Sequence, residues 1–469
     1  MSQRLHAFGD DALGDRDAVG LVAALHAGEV CVPEVVEAAI ARAERVQPTL
    51  NGIAFEGYDR AREEARDPRP GFFAGVPTWV KDNVDVAGWP TLAGTDAWTP
   101  VPARRDGDFA RMHLATGLLP LGKSRLSEFG FLPSAEHPRL GPVRSPWDTS
   151  RTAGASSAGS SAMVAAGVVP IAHANDGGGS IRIPASVNGL VGLKPTRDRF
   201  AQDASFRQMP LRIVSDGVVT RSVRDTAAWV REAEKVYRAL HLPPIGDLTR
   251  PGRGRLRIGV NTTGLGHGAD AETSELTHAV ARRLEELGHR VEEIEVPVPD
   301  SFAEDFLLYW SFLALVLVRT GRRVHGRSWD PTHLDDVTRG LARSSARGLP
   351  RLPRAIRRLR RTTAMARELY ASYDVTLTPT LAHETPHLGH LDPTLGHDVV
   401  MERVLDWVTF TPWQNATGDP ALSLPLASTS GGVPLGMHFG AAAGREATLI
   451  ELAYELEEAF PFARIQDPA

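Results

Sequence analysis

The sequence predicts an α/β fold in which a β-sheet is covered by helices on both faces, and three observations predict it. Apolar residues recur at helical spacing in amphipathic runs, short β-type runs lie between them, and the two kinds alternate along much of the chain. That is the pattern of a sheet buried between helical layers. With 42% hydrophobic residues the chain can build a sizeable core. Its 469 residues would hold two or three average domains, although large α/β enzymes also run as one. No internal repeat is evident.

Residues 18–30 and 33–46 carry helix-period apolar positions, with Pro33 suited to a first turn, so the chain opens with two amphipathic packing helices. From residue 72 to 94 the pattern changes to short β-type runs, and 78–80 reads as a strand that delivers Lys81 at its end. Helix 108–116, strand 118–121, helix 222–240, strand 256–260, helix 273–287 and strand 290–296 continue the alternation. Residues 306–318, FLLYWSFLALVLV, are apolar or nearly so between Asp305 and Arg319. A bilayer span needs about 20 such residues, so this run predicts a buried helix or a wall of a pocket. Residues 339–367 are the strongest local charge anomaly, densest in LPRLPRAIRRLRRTTAMAR. The basic residues cover much of a helix circumference and few large apolar residues form a membrane-facing stripe, which predicts a solvated basic helix. A strand at 375–377 and a closing helix at 446–460 complete the chain.

The formal net charge of −5 gives no global attraction to nucleic acid or to an anionic membrane. The single cysteine, Cys31, cannot form an internal disulfide, which fits a reducing, cytoplasmic setting. The first residues, MSQRLHAFGDDALGDRDA, contain no apolar run of signal-peptide type, so secretion by that route is not expected.

Chemistry concentrates in residues 154–184, GASSAGSSAMVAAGVVPIAHANDGGGSIRIP. Gly177, Gly178 and Gly179 lack a Cβ, so the backbone ahead of Ser180 can take positive φ and turn its N–H groups toward one point. Such a nest suits an oxyanion, and Ser180 sits where a nucleophilic hydroxyl belongs in acyl transfer. Ser156 lies upstream in the same stretch. A flexible Gly/Ser linker is excluded by context, because residues 161–174 form an apolar helix-then-strand pattern.

Two other motifs invite chemistry and lack its context. GLLPLGKS, residues 117–124, matches the phosphate-loop pattern of a nucleotide-dependent enzyme. A phosphate loop follows a strand and opens a helix, whereas here a helix precedes Gly117 and the LLPL interior is itself strand-like. HETPH, residues 383–387, matches a zinc pattern, with His390 and Asp392 nearby. That pattern needs a helix to put both histidines on one face, and Pro386 breaks it; a loop without metal is expected. Asn261 and Asn415 match glycosylation acceptors and carry little weight without a secretion signal.

The serine and glycine stretch, together with GVPTWVKDNVDVAG at residues 75–88, resembles the amidase signature family. The family's usual form is GGSSGG, about two dozen residues, then DTGGS, with a lysine segment upstream. Ala155, Ala158 and Gly177 depart from that form here. The resemblance extends roughly from residue 33 to the end, which implies one domain over residues 1–469. Within it, residues 1–60 would supply N-terminal helices and 300–372 a helical, partly Arg-rich excursion. The implied fold has a large mixed sheet.

The resemblance implies a Ser–Ser–Lys triad that hydrolyses amide C–N bonds. Ser180 is the nucleophile, Ser156 a bridging serine after a cis peptide bond, and Lys81 a base kept neutral by burial or a cationic neighbour. The amides of Gly177, Gly178 and Gly179, through to Ser180, would hold the oxyanion. Ser157 and Asp176 either orient Lys81 and the turn or cap backbone. No cofactor and no metal are implied. The partner is a small-molecule amide, with neither nucleic acid nor membrane, and a homodimer is allowed. A rival role within the family is the glutamine-amidase subunit of a tRNA-dependent amidotransferase, which the Arg-rich segment keeps open, as it does a lipid-surface role.

Phe131, in SEFGFLP, stands where the resemblance places a residue bordering the substrate, and an aromatic there offers apolar contact and no charge. Phe129, Trp413 in FTPWQNATG, and the helix around Tyr309 and Trp310 are further candidate walls. Residues 170–197 and 424–446 are similar to family members acting on nylon oligomers and aryl amides. The expected substrate is therefore an uncharged apolar or aryl amide.

Overall fold

The computed structural model of the chain describes residues 3–264 and 266–467. An eight-stranded mixed sheet runs in the order Arg290–Glu293, Arg257–Val260, Val375–Pro379, Pro434–Ala441, Ala421–Ser428, Val191–Lys194, Ser215–Thr220, Ile171–Asp176. The first three strands pair in parallel and the others antiparallel. Ile171–Asp176 and Ser215–Thr220 are buried along their whole length, as expected of strands covered on both faces. Arg290–Glu293, at the other edge, is largely charged, which protects an edge strand from pairing with another chain. Helix Arg182–Asn188 packs on three central strands, and Val223–Val236 and Glu446–Ala459 pack on each other and on the sheet.

The strand carrying Lys81 is not part of this sheet. Pro77–Lys81 pairs in parallel with Leu119–Ser124, which pairs antiparallel with Ile53–Glu56, making a separate three-stranded sheet. It meets Ile171–Asp176 through side chains rather than a ladder: Thr78 Oγ1 donates to Ile171 O at 3.0 Å, and the Lys81 amide donates to His173 Nδ1 at 3.1 Å. Of the β-type runs expected between residues 72 and 94, only this strand forms. Carboxylates hold the irregular chain that follows it: Asp82 accepts from the Leu92 amide at 3.1 Å, and Asp106 from the Ala87 amide at 2.8 Å.

The phosphate-loop match is a buried strand. Residues Leu119–Ser124 spend backbone groups on sheet pairing, and the Lys123 Nζ reaches Asp82 Oδ1 at 3.0 Å with both side chains fully buried. HETPH is not helical. Its two histidines turn to different neighbours, His383 Nδ1 to the Glu384 carbonyl and His387 Nδ1 to Ser150 Oγ. Among the described residues no cluster of His, Cys, Asp and Glu could hold a metal ion.

The apolar run at 306–318 lies inside a longer helix, Phe302–His325, with Glu304 and Asp305 in its first turn and Arg322, Arg323 and His325 in its last, charges that suit the helix dipole. Where one basic helix was expected there are two, Asp336–Gly348 and Leu352–Ser372, joined by a tight turn containing Pro350. The second buries Leu352, Ala355, Leu359, Thr362, Ala366 and Leu369 at helical spacing, while Arg354, Arg357, Arg361 and Arg367 face solvent. Arg358 pairs with buried Asp305 and so ties this helix to Phe302–His325. No helix among the described residues is long and apolar enough to cross a membrane.

Candidate active site

Lys81 ends its strand fully buried. Its Nζ lies 2.7 Å from Ser156 Oγ, 2.6 Å from Asn175 Oδ1 and 3.3 Å from Asn175 O. Burial pulls the ammonium down to about 7, against the opposing attraction of Asp216 and Asp176. A lysine in that state can accept a proton from a neighbouring hydroxyl near neutral pH.

Asn175 was not singled out from the sequence. It sits on the face of strand Ile171–Asp176 that meets the lysine strand, in alternation with Ile171 and His173. The signal that could have found it is the spacing of polar His173 and Asn175 along an otherwise apolar buried strand. Asn175 is itself held by Asn83, to whose Oδ1 its Nδ2 donates at 3.1 Å. His173 accepts the Lys81 amide at Nδ1, so its ring proton belongs on Nε2, 3.3 Å from Asp216 Oδ1. Burial, with Lys81 and Lys123 nearby, keeps this imidazole neutral, well below its ordinary value.

Ser156 follows a cis peptide bond from Ala155. Ser157 stands just before helix Ala158–Ala165, and its Oγ donates to the Ser180 carbonyl at 2.6 Å. Ser157 therefore fastens the turn that carries Ser180, also meets the Asn175 backbone at 3.3 Å, and makes no hydrogen bond to Lys81 among the described residues. A side chain at Gly159, the second residue of the helix, would meet the Gly52 carbonyl at 2.1 Å, which explains glycine there.

Asp176 builds the other side of that turn. Its buried carboxylate accepts from the amides of Gly179 at 2.7 Å and Ile181 at 3.2 Å, from Arg182 Nε at 2.8 Å, and from Asn415 Nδ2 at 2.9 Å. Burial alone would raise this carboxyl, but the Arg182 guanidinium holds it well below the ordinary carboxylate range. Asp176 makes no hydrogen bond to Lys81 among the described residues, so of its two expected roles it takes the one at the turn.

The oxyanion nest is smaller than the sequence implies. The Gly179 amide is engaged by Asp176 and is not free for a ligand. Gly179 serves the turn differently: its φ is 137°, and a Cβ there would lie 2.4 Å from Thr411 Oγ1. The amides of Gly177, Gly178 and Ser180 have no hydrogen-bond partner among the described residues. All three of these residues line the cavity.

Ser180 Oγ likewise has no partner among the described residues and faces a cavity of two chambers, about 350 and about 600 Å³. Gly130, Phe131, Ser180 and Trp310 contribute to the walls of both. Ser156 opens into the larger one. Phe131 and Trp310 meet edge to face, ring centres 5.7 Å apart, and Trp310 Nε1 donates to the Phe131 carbonyl at 3.2 Å.

Two expected walls are elsewhere. Trp413 is buried against Phe302, ring centres 5.5 Å apart, and belongs to the core rather than to either chamber. Tyr309 is fully buried, its hydroxyl donating to the Leu211 carbonyl at 2.6 Å. Consecutive helical residues point about 100° apart, so Trp310 faces the cavity while Tyr309 faces the core.

The family model described as Amidase matches residues 34–450. The chain belongs to the amidase family. It is an enzyme of amide C–N bond hydrolysis. It is similar to a putative amidase AmiC of Mycobacterium leprae, 59% identical over 465 residues covering 99% of each chain. It is also similar to the 6-aminohexanoate-cyclic-dimer hydrolase of a Pseudomonas species, 32% identical over 486 residues covering 95% of each. A solved structure of 6-aminohexanoate cyclic dimer hydrolase complexed with substrate superposes with a TM-score of 0.86 at 29% identity, over 97% of this chain and 99% of that one. This amidase therefore shares both family and fold with hydrolases of amide bonds.

Proposed function

We propose that this amidase cleaves uncharged apolar or aryl amides through an acyl-Ser180 intermediate, with Lys81 and Ser156 as the proton relay. The observation that carries this reading is the 2.7 Å contact between Lys81 Nζ and Ser156 Oγ at the wall of the cavity that Ser156 shares with Ser180. Neutral Lys81 takes the Ser156 proton, Ser156 takes that of Ser180, and Ser180 Oγ attacks the carbonyl carbon. The free amides of Gly177, Gly178 and Ser180 are suited to the developing oxyanion. The C–N bond then breaks, the proton returns through Ser156 to the leaving nitrogen, and water hydrolyses the ester at Ser180 by the same relay.

The cavity walls support the substrate class. Among the described lining residues the only acidic or basic side chains are His267, Asp300 and His325. Phe131, Ile183, Phe306, Leu307 and Leu313 are typical of the rest. The charged α-groups of glutamine would lose hydration against these mainly apolar walls. A stand-alone hydrolase follows, working without tRNA or a protein partner. Exposed Cys31, the chain's single cysteine, fits a reducing cytoplasm.

The test is kinetic. On a medium-chain anilide the purified chain should turn over alone, Ser180→Ala should abolish turnover, and Lys81→Ala should lower kcat by several decades. Near wild-type turnover by Ser180→Ala, or activity that appears only with added tRNA and partner proteins, would overturn the proposal.

A further inference from the structure

The two chambers are unequal in what they offer the reaction. Ser156 and Asn175, which lead to Lys81, line the larger chamber and not the smaller. Ala155 and Gly178 line the smaller, and Ser180 lies at the junction. A proton donor must reach the leaving nitrogen itself, within hydrogen-bond distance. From Ser180 the leaving nitrogen must therefore lie toward the larger chamber, and the acyl group falls to the smaller one.

We infer that this enzyme takes N-substituted amides, with the acyl chain in the smaller chamber and an apolar alkyl or aryl substituent of the nitrogen in the larger. The inference rests on the acyl-Ser180 reading above and extends it to the second half of the substrate. A primary amide would leave the larger chamber unused. Its volume is about 600 Å³, against about 350 Å³ on the acyl side. Phe129, Phe206, Met209, Leu313 and Leu317 line it, and among its described lining residues there is no Asp, Glu, Lys or Arg. At its outer end Val316 and Val324 are 42% and 69% exposed, so the chamber opens to solvent where a released amine can leave. The smaller chamber is lined by Leu132, Ile183, Phe302, Met401 and Val404, with exposed His267 and Asp300 also in its wall. The Phe131–Trp310 pair lines both chambers and so stands at their junction.

The breaking step balances on these positions. The electron pair of the C–N bond goes to nitrogen, nitrogen takes the proton delivered by Ser156, and the neutral amine departs through the larger chamber while the acyl group stays on Ser180.

A grid of N-alkyl alkanamides tests the assignment, because their intrinsic reactivity changes little with chain length. At a fixed hexanoyl group, lengthening the nitrogen substituent from methyl to pentyl should raise kcat/KM by about tenfold or more; at fixed N-methyl, acetyl to hexanoyl should do the same. Leu317→Trp should flatten the nitrogen series, and Val404→Trp the acyl series. A nitrogen series already flat in the wild type, or the opposite pairing of variant and series, overturns the inference. Should either Trp variant unfold, the wild-type acyl-enzyme still decides it: pentylamine should compete with water saturably and methylamine should not, whereas equal behaviour counts against the second chamber. Hydrolysis of no member of the grid, with no acylated Ser180, would instead overturn the underlying reaction.

Discussion

Replacing Asn175 by Ala separates the two things its side chain does for Lys81. The amide oxygen lies 2.6 Å from Nζ, the shortest of the three contacts that the amine makes. A hydrogen bond from a charged donor is worth about 1.5–3 kcal/mol, and one pKa unit corresponds to about 1.36 kcal/mol, so losing it from the ammonium form lowers the lysine by about one to two units. Water entering the vacated space restores part of this, and a shift of about one unit is expected. The sign follows from the mechanism: the reactive form is neutral, so kcat/KM rises with pH through a limb near the Lys81 value of about 7 in the wild type. In Asn175→Ala that limb moves to lower pH. The amine also loses a fixed direction toward Ser156, so the plateau falls, by about ten- to a hundredfold. The assay is kcat/KM for a neutral anilide between about pH 5 and pH 9, a substrate that does not itself titrate. A limb that moves upward, or a wild-type profile with no rise near 7, would refute the idea that neutral Lys81 is the base.

Three further outcomes follow from the same geometry. Asp176→Ala leaves the fully buried Arg182 guanidinium without its carboxylate, and chemical denaturation should report a loss of about 3–5 kcal/mol; an unchanged midpoint would mean that the pair does not hold the turn. Ser157→Ala removes the 2.6 Å bond to the Ser180 carbonyl, and kcat should fall about tenfold with KM little changed, read from initial rates on one anilide. Phe131→Ala enlarges the junction, so the optimum acyl length should shift by at least one methylene, and an untouched length profile would remove Phe131 from the pocket.

The parts of the site that were legible in the sequence are those whose geometry is local. Lys81 ends a strand marked by its own apolar run, and Ser180 follows a glycine turn that the backbone could be seen to need; Lys81 Nζ lies 2.7 Å from Ser156 Oγ, and Ser180 lines the same chamber as Ser156. Asn175 was missed because its role depends on which face of Ile171–Asp176 meets the lysine strand, and those strands belong to different sheets. The same long-range pairing hid the second sheet. The Gly179 amide looked like part of the nest because the sequence left two roles open for Asp176, three residues earlier, and only one of them, capping the backbone, takes that amide. Trp413 and Tyr309, candidate walls in the sequence, lie in the core for different reasons: apolar residues surround much of the Tyr309 helix, so periodicity does not fix which side faces a cavity, and the Trp413 helix, Pro412–Thr417, is too short for periodicity to place a side chain. The phosphate-loop and zinc matches were decided by secondary structure, which strand propensity in one case and proline in the other already indicated.

The most direct test of the account is to identify the acylated residue. Rapid acid quench during turnover of a medium-chain anilide, followed by peptide mass spectrometry, should find the acyl mass on the peptide containing Ser180 and fragment ions should assign it to that hydroxyl. Ser180→Ala should show no adduct, while Lys81→Ala should show one that forms more slowly. An acyl group on Ser156, or turnover with no acylated residue at any time point, would contradict the mechanism.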